Sequence, residues 1–321
     1  MWYRIGKAPD RQYFLANLAL IRISQIFAAA SFALFAAGLA GMAHADSMIL
    51  GLLSFYFSVM YLQHPAFTNT MPKPWISYIL AASFAAGAAG YIAGAPYPWL
   101  PFSAIYIVLY SPGFKGQNAP PNLVTAAGLA ALAFAGEPWR IALSFPAAAA
   151  LSLIMRVDHA KKRKTMSLPK AASFAAAYLA LAASPLPPSL VISLTFAAFF
   201  ALNGVYLSRE PYSWGTLAGR LLPLFSLLGP YVPVFHALYL GIAVIMFSLC
   251  IPWFIPSVFL RRVPRWPRHM PALAIAAAAL RLSRQPELLV VAAFLFLALG
   301  AYAAVKVLRE PSFSLGPPPP R

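Results

Sequence analysis

Long apolar runs separated by short polar or proline-containing segments dominate the chain from residue 19 to residue 307. A helix needs about 20 apolar residues to cross the hydrocarbon core of a bilayer, and most of these runs approach that length. The pattern therefore predicts membrane-spanning helices rather than the one-sided helices of a soluble domain. The runs lie at about 19–42, 47–63, 75–94, 97–111, 122–136, 139–155, 171–184, 188–207, 221–260 and 286–307.

Two parts of this pattern are irregular. Residues 221–260 carry no Asp, Glu, Lys or Arg and have Gly229-Pro230 and Pro233 near their centre, which predicts a hairpin of two helices. Residues 272–281 are too short to span, so we expect a surface or cytoplasm-facing helix before the last span.

The predicted fold is an all-α, polytopic integral membrane helical bundle with about 9–11 transmembrane helices. Residues 1–310 are expected to form a single transmembrane domain, and the Pro-rich residues 311–321 a disordered tail.

Composition narrows the class of protein further. Hydrophobic residues make up 61% of the 321 positions and charged residues 10%, and the mean hydropathy is +0.72. An ordinary soluble domain has about 25% charged residues. These values exclude a soluble enzyme, a disordered chain and a nucleic-acid-binding module, so we expect membrane lipids and no nucleic acid as partners.

The charges are strongly asymmetric, with 24 Lys and Arg against 7 Asp and Glu, a formal net charge of +17. Most of the basic residues fall at the N-terminus and in alternate loops, whereas the opposite loops carry only Arg140. The positive-inside rule therefore predicts a multi-pass protein of the cell membrane with a cytoplasmic N-terminus. The same basic loops are also suited to anionic lipid headgroups.

Several of these loops carry polar residues at particular spacings. Tyr110-Ser111 is followed by Lys115 and then by Asn122 at the start of the next run. A second segment has Asp158 and, seven residues later, Thr165, with a basic stretch between them. Residues 69–77, Asn-Thr-Met-Pro-Lys-Pro-Trp-Ile-Ser, follow the second run, and Arg22-Ile23-Ser24-Gln25 lies in the first.

In this order, these motifs resemble those of the UbiA-type integral-membrane prenyltransferases. That family has Tyr-Ser-x-x-x-Lys after its fourth span and an Asn opening the fifth. It also has an aspartate motif followed by Thr after the sixth span, Arg-Pro-Leu-Pro-Ser-Gly-x-Ile-Ser after the second and Arg-Pro-x-Asn in the first. The similarity extends from the first to at least the seventh span. It implies a UbiA-type bundle whose cavity opens to the cytoplasm and binds a polyprenyl diphosphate through Mg²⁺ held on two aspartate-rich loops.

The chain departs from the family in its acidic residues. The positions of the first aspartate motif fall on Ser54, Phe55, Ser58 and Leu62, and the two earlier aspartates of the second motif are replaced by Ala150 and Ile154. Asp158 is therefore the only candidate metal ligand. One aspartate does not supply the oxygen ligands of two magnesium ions, which argues against Mg²⁺ and against catalysis.

Basic residues around the same loops offer another way to hold a diphosphate, without a metal. The residues predicted to bind the diphosphate or lipid are Arg22, His64, Lys73, Tyr110, Ser111, Lys115, Asn122, Asp158, Lys161 and Lys164. The alternative is that the basic residues only set the topology and that Asp158 pairs with a neighbouring cation. No catalytic residue is assigned.

Three functions stay open from the sequence. The first is a divergent UbiA-type, prenyltransferase-like protein that binds a polyprenyl diphosphate or related lipid. The second is a non-catalytic lipid-binding relative, which the absence of the first aspartate motif favours. The third is a membrane transporter. His236 lies inside an apolar run, and we expect it to form an interhelical hydrogen bond.

Overall fold

The computed structural model describes residues 1–4, 11–161, 166–229, 233–283 and 285–313, excepting the side chains of Arg4 and His159. The chain is mostly helical (80%), which confirms the predicted helical bundle. The helices are α1 (Arg11–Leu39), α2 (His44–Leu62), α3 (His64–Thr68), α4 (Pro74–Ile92), α5 (Leu100–Tyr110), α6 (Ala119–Ala133), α7 (Pro138–Leu143), α8 (Phe145–Ala160), α9 (Leu168–Ala183), α10 (Pro188–Asn203), α11 (Pro211–Leu221), α12 (Val234–Ile245), α13 (Ile251–Trp253), α14 (Ile255–Val258), α15 (His269–Leu282) and α16 (Pro286–Arg309).

Six helical segments in the described residues are long and apolar enough to cross a membrane. They are Arg11–Leu39, His44–Leu62, Pro74–Ile92, Pro138–Asp158, Val234–Trp253 and Pro286–Arg309. Four shorter apolar helices accompany them, at Leu100–Gly113, Leu168–Ala183, Pro188–Asn203 and His269–Leu282. The chain is therefore suited to a multi-pass membrane protein, as its hydropathy pattern predicts.

Prolines set several helix boundaries. Pro74, Pro188, Pro211 and Pro286 are each the first residue of a helix. Proline suits this position because the first amide of a helix has no intrahelical acceptor and proline fixes φ near the helical value. Within the span 138–158, Pro146 accompanies a break at Ser144 that separates α7 from α8, since a proline amide cannot complete the hydrogen-bond ladder.

The described residues divide into two compact units, the first formed by residues 1–149 with Phe313 and the second by residues 150–312. In the first unit α1 packs against α2 and α4, and α5 packs against α4 and α6. An aromatic core joins α2, α4 and α5: the ring centroid of Phe57 lies 5.0 Å from that of Phe84 and 5.2 Å from that of Phe102.

The first unit also contains a small element that the apolar pattern does not predict. Strand β1 (Trp2–Arg4) pairs antiparallel with strand β2 (Thr70–Pro72), which follows α3. The pairing brings the N-terminus beside the segment that leads into α4.

In the second unit the predicted hairpin of residues 221–260 is present but begins earlier. Its first arm is α11 continued by a 3₁₀ segment, Leu222–Leu228, and both pieces pack against α12. The second arm, 234–253, contains a π-helical turn at Met246–Cys250. This turn precedes Pro252, whose missing amide would interrupt a regular α-helix.

The two arms of the hairpin approach closely at a pair of glycines. A methyl group at Gly219 would lie 2.7 Å from the carbonyl oxygen of Gly241, so a side chain at this position would push the helices apart. Arg220, the residue that follows Gly219, is buried.

Helix α15 confirms the short helix predicted at residues 272–281. It packs against α11, α12 and α16. A hydrogen-bond distance of 2.7 Å separates Arg281 Nη2 from His236 Nε2, which confirms the predicted interhelical contact of His236. The start of the predicted tail contacts residue 262, because Arg262 N donates to the carbonyl oxygen of Pro311. Residues 314–321 lie outside the described residues.

Candidate functional site

Two of the predicted loop segments meet at one end of the first unit. Asn118 Nδ2 donates a hydrogen bond of 3.1 Å to the carbonyl oxygen of Ala66, which joins the turns after α5 to α3. Lys73 is half-buried beside the N-terminal strand, with its Nζ 5.6 Å from the centroid of the Tyr3 ring. The N-terminus, segment 64–73 and segment 111–118 therefore lie together.

Asn122 holds these turns from the start of α6. Its fully buried side chain donates from Nδ2 to the carbonyl oxygens of Phe67, at 2.8 Å, and of Gly113, at 2.7 Å. Its Oδ1 has no hydrogen-bond partner among the residues described. A Cβ atom at Gly113 would overlap the Asn122 side chain, so the turn requires glycine here. Asn122 thus fixes the loop that carries the Tyr-Ser-x-x-x-Lys motif.

His64 is buried among aromatic rings and is uncharged. Its side chain is 0% exposed, and its ring centroid lies 5.3 Å from that of Tyr110 and 6.4 Å from that of Tyr61. Neither ring nitrogen has a hydrogen-bond partner within the described ranges. Burial lowers the pKa of His64 from 6.5 to about 3, because the apolar surroundings disfavour the imidazolium. His64 therefore adds no positive charge to the predicted diphosphate site near neutral pH.

The Tyr-Ser-x-x-x-Lys motif is divided between core and surface. Tyr110 is fully buried, with its ring 5.1 Å from Tyr106 and 6.2 Å from Phe67 between centroids. Ser111 and Lys115 are exposed in the short 3₁₀ turns that follow α5. The structure therefore joins His64, Tyr110 and Asn122 in one buried cluster, while Lys115 offers its charge at the surface.

Arg22 lies apart from these hydrogen bonds. It is exposed on α1 and donates from Nη1 to Gln25 Oε1 at 3.2 Å. Its described hydrogen bond is therefore local to its own helix.

A buried charged cluster forms in the second unit around Asp158. Asp158 is 6% exposed, and its Oδ1 accepts a hydrogen bond of 2.5 Å from the Tyr212 hydroxyl. Arg220, about two helix turns after Tyr212 along α11, is close enough to Asp158 for their charges to interact. The aspartate is thus held by a phenol and lies in the field of a cation.

Lys161 extends this cluster towards the surface. Its Nζ forms a 2.5 Å ion pair with Glu210 Oε2 and lies 4.6 Å from the centroid of the Tyr212 ring. It also lies 5.6 Å from the Trp253 ring centroid. Lys161 is therefore half-buried and paired, and only part of its charge faces outward. Lys164 lies outside the described residues.

Arg220 is an unusual member of the cluster because it is 2% exposed. Its Nε donates to the carbonyl oxygen of Thr216 at 3.3 Å, and its Cζ lies 5.1 Å from the Phe200 ring centroid and 6.0 Å from that of Phe199. Its Nη1 and Nη2 donate to no residue in the described part of the chain. A buried guanidinium thus keeps most of its donors unused.

These residues do not fit a magnesium site. Mg²⁺ requires several oxygen ligands in near-octahedral geometry, whereas the Asp158 carboxylate already accepts from Tyr212 and faces the positive charge of Arg220. At the positions of the first aspartate motif, Ser54, Phe55 and Ser58 are buried in α2, where Ser58 Oγ donates to the carbonyl oxygen of Ser24. Across the described ranges, no three His, Cys, Asp or Glu side chains lie close enough together to hold a metal ion.

Sequence reasoning missed Tyr212 and did not single out Arg220 among the basic residues. Asp158 and Tyr212 are 54 residues apart, and no motif relates them. Arg220 offered a signal, because it is the only charged residue between Pro211 and Leu260. A lone ionisable residue in an apolar helix is a functional candidate by default.

Comparisons of the chain with protein-family models, with curated proteins and with solved structures found no match.

Proposed function

We propose that this chain is a UbiA-type membrane protein that binds an isoprenoid diphosphate, or a related lipid with an anionic headgroup, without Mg²⁺ and without transferring the prenyl group. The observation that carries the proposal is the engagement of Asp158. Its carboxylate accepts from Tyr212 and lies within the electrostatic range of Arg220, so the one aspartate of the resembled motif is used in protein contacts. A prenyltransferase would need that carboxylate, and further ones, for metal.

Cationic side chains replace the metal in this proposal. Lys115 is exposed and Lys73 is half-buried, so in the first unit each has an ammonium group at or near the surface. Ammonium groups bind phosphate oxygens through charge-assisted hydrogen bonds that need no metal. Because His64 is neutral, the proposed headgroup site relies on the lysines and not on the histidine.

The proposal also includes an orientation of the first unit in the membrane. The N-terminus lies beside segments 64–73 and 111–118, which contain Lys73 and Lys115. By the positive-inside rule, this end of the first unit faces the cytoplasm. The proposed 9–11 spans require the shorter apolar helices, in addition to the six long ones, to cross the bilayer.

Binding of a ten-carbon isoprenoid diphosphate to the purified full-length chain in detergent tests the proposal. We expect the same dissociation constant with Mg²⁺ and with a chelator, and no release of inorganic pyrophosphate. The Lys115→Ala variant should bind several-fold more weakly, while Lys306→Ala, at the end of α16, should bind as the wild type does. Lysine contacts to phosphate are salt-sensitive, so the affinity should fall as salt rises.

Three results would overturn this proposal. Binding that requires Mg²⁺ would mean that the metal site is intact. Release of pyrophosphate would show that the chain cleaves the bond between the prenyl group and the diphosphate, which is the first step of a prenyltransferase. Absence of binding under both conditions would leave a helical bundle with a different ligand.

A further inference from the structure

Arg220 has more hydrogen-bond donors than its protein neighbours accept, and the proposed lysine contacts do not explain this. Of the five N–H donors of its guanidinium, only Nε has an acceptor among the described residues, the carbonyl oxygen of Thr216. The side chain is 98% buried, since its exposure is 2%. The donors of a buried guanidinium are nearly always satisfied by protein, water or a ligand, so Nη1 and Nη2 are available to an acceptor from outside the described residues.

The neighbouring groups stabilise the charge of Arg220 without using its donors. Asp158 acts on it electrostatically, and its Oδ1 accepts from the Tyr212 hydroxyl. The rings of Phe199 and Phe200 lie 6.0 Å and 5.1 Å from the guanidinium carbon, within the range of cation–π attraction. The guanidinium is therefore stabilised as a cation, while its Nη1 and Nη2 donate to none of the described residues.

Arg220 lies in a tightly packed part of the second unit. Gly219, the residue before it, lets α11 approach α12 closely, as the clash of an added methyl group shows. Arg220 itself is buried against the rings of Phe199 and Phe200 of α10. A long cation buried in this way is costly to desolvate and is typical of a functional position.

We propose that Arg220 is an oxyanion-binding residue whose Nη1 and Nη2 donate to two oxygens of a phosphate or diphosphate group. A planar guanidinium matches two phosphate oxygens in a bidentate arrangement, which an ammonium group cannot reproduce. The identity of the ligand as a lipid headgroup rests on the proposed function, whereas the oxyanion chemistry rests on the geometry of Arg220. Two kinds of ligand carry such a phosphate group, a lipid with a phosphate headgroup and a free phosphate compound.

Three probes separate these sources: inorganic pyrophosphate, the ten-carbon isoprenoid diphosphate, and nanodiscs of phosphatidylcholine with or without phosphatidylglycerol. Each is titrated against the full chain as wild type, Arg220→Gln, Arg220→Lys and Arg209→Gln. Arg209 is the matched control because it is an exposed arginine of the same unit. We expect Arg220→Gln to weaken binding by about tenfold or more, Arg220→Lys to recover only part of it, and Arg209→Gln to have no effect.

Thermal unfolding measurements show whether the variants are folded. In anion-free buffer, Arg220→Met should unfold at or above the wild-type temperature, because the variant removes unused buried donors. Pyrophosphate should raise the wild-type unfolding temperature and leave that of Arg220→Met unchanged. Arg220→Met unfolding far below wild type in anion-free buffer, with the same pyrophosphate shift, would identify a purely structural arginine and overturn the inference.

The outcomes also separate this inference from the proposed function. If the wild type binds the isoprenoid diphosphate and Arg220→Gln binds it equally well, the inference fails and the proposed function stands. If the wild type binds pyrophosphate through Arg220 but not the isoprenoid compound, the inference stands and the proposed function fails. If the wild type binds none of the probes, both fail.

Discussion

Acidification should destabilise the folded chain through His64. The imidazole lies fully buried among the rings of Tyr61 and Tyr110 and has no hydrogen-bond partner among the described residues. Protonation would place a charge there without solvent or a counter-ion. The folded state therefore resists protonation, whereas the unfolded chain accepts the proton at the ordinary pKa.

The magnitude follows from the two pKa values, 6.5 for an ordinary histidine and about 3 for buried His64. Between them the unfolded state binds more protons, so stability rises with pH and is lost as the pH falls below 6.5. The loss reaches about 2 kcal/mol at pH 5 and would approach about 5 kcal/mol below pH 3.

The measurement is the free energy of unfolding of the purified chain in mild detergent at pH 7.5, 6 and 5, for wild type and His64→Met. Methionine has a similar volume and fills irregular apolar gaps. We expect the variant to lose about 2 kcal/mol less than wild type between pH 7.5 and pH 5. His269→Gln, which removes an exposed histidine, should follow the wild type. Equal losses in wild type and His64→Met would refute the assignment of a neutral, desolvated His64.

Three further changes test the contacts of the two units by thermal or denaturant unfolding in detergent. Tyr212→Phe removes the hydrogen bond to the buried Asp158 carboxylate and should cost about 1.5–3 kcal/mol. Asn122→Leu leaves two buried carbonyl groups without their donor and should cost about 2–4 kcal/mol, with faster proteolysis at residues 111–118. Glu210→Gln breaks the half-exposed ion pair with Lys161 and should change stability by less than about 1 kcal/mol.

Matched controls accompany these changes. Tyr97→Phe removes a phenol from an exposed tyrosine, and Gln117→Ala shortens an exposed polar side chain in the loop that Asn122 holds. Both should leave stability unchanged within about 0.5 kcal/mol. Equal effects of Tyr212→Phe and Tyr97→Phe would show that the bond to Asp158 contributes nothing. A Glu210→Gln loss above about 2 kcal/mol would show that the ion pair is far less hydrated than its exposure indicates.

Hydropathy predicts the helices well because it is a local property. The break at Gly229-Pro230 and Pro233 predicts the hairpin, although the first arm begins at Pro211, ten residues before the apolar run. The reason is that residues 211–220 are polar in part and are recruited by packing against α12. The N-terminal strand pair is missed for a similar reason, since three residues carry too little pattern to indicate a partner 68 residues away.

The candidate site, like the fold, is only partly predictable from the sequence. The spacing of Tyr110 and Asn122 indicates that both belong to one loop region, and the structure joins them through the turns after α5. The charge state of His64 cannot be obtained in this way. A histidine two residues after an apolar helix resembles any surface histidine until the aromatic rings that enclose it are known.

The sequence by itself therefore determines a mostly helical chain with several helices apolar enough to span a membrane, together with most helix positions and the scarcity of acidic residues. These follow from sums over neighbouring residues and from counts. Only the tertiary structure decides that Asp158 bonds Tyr212, that Arg220 is buried with unused donors and that His64 is neutral. Each of these depends on which distant side chains exclude water from a group, and desolvation and pairing are set by three-dimensional neighbours rather than by the order of residues along the chain.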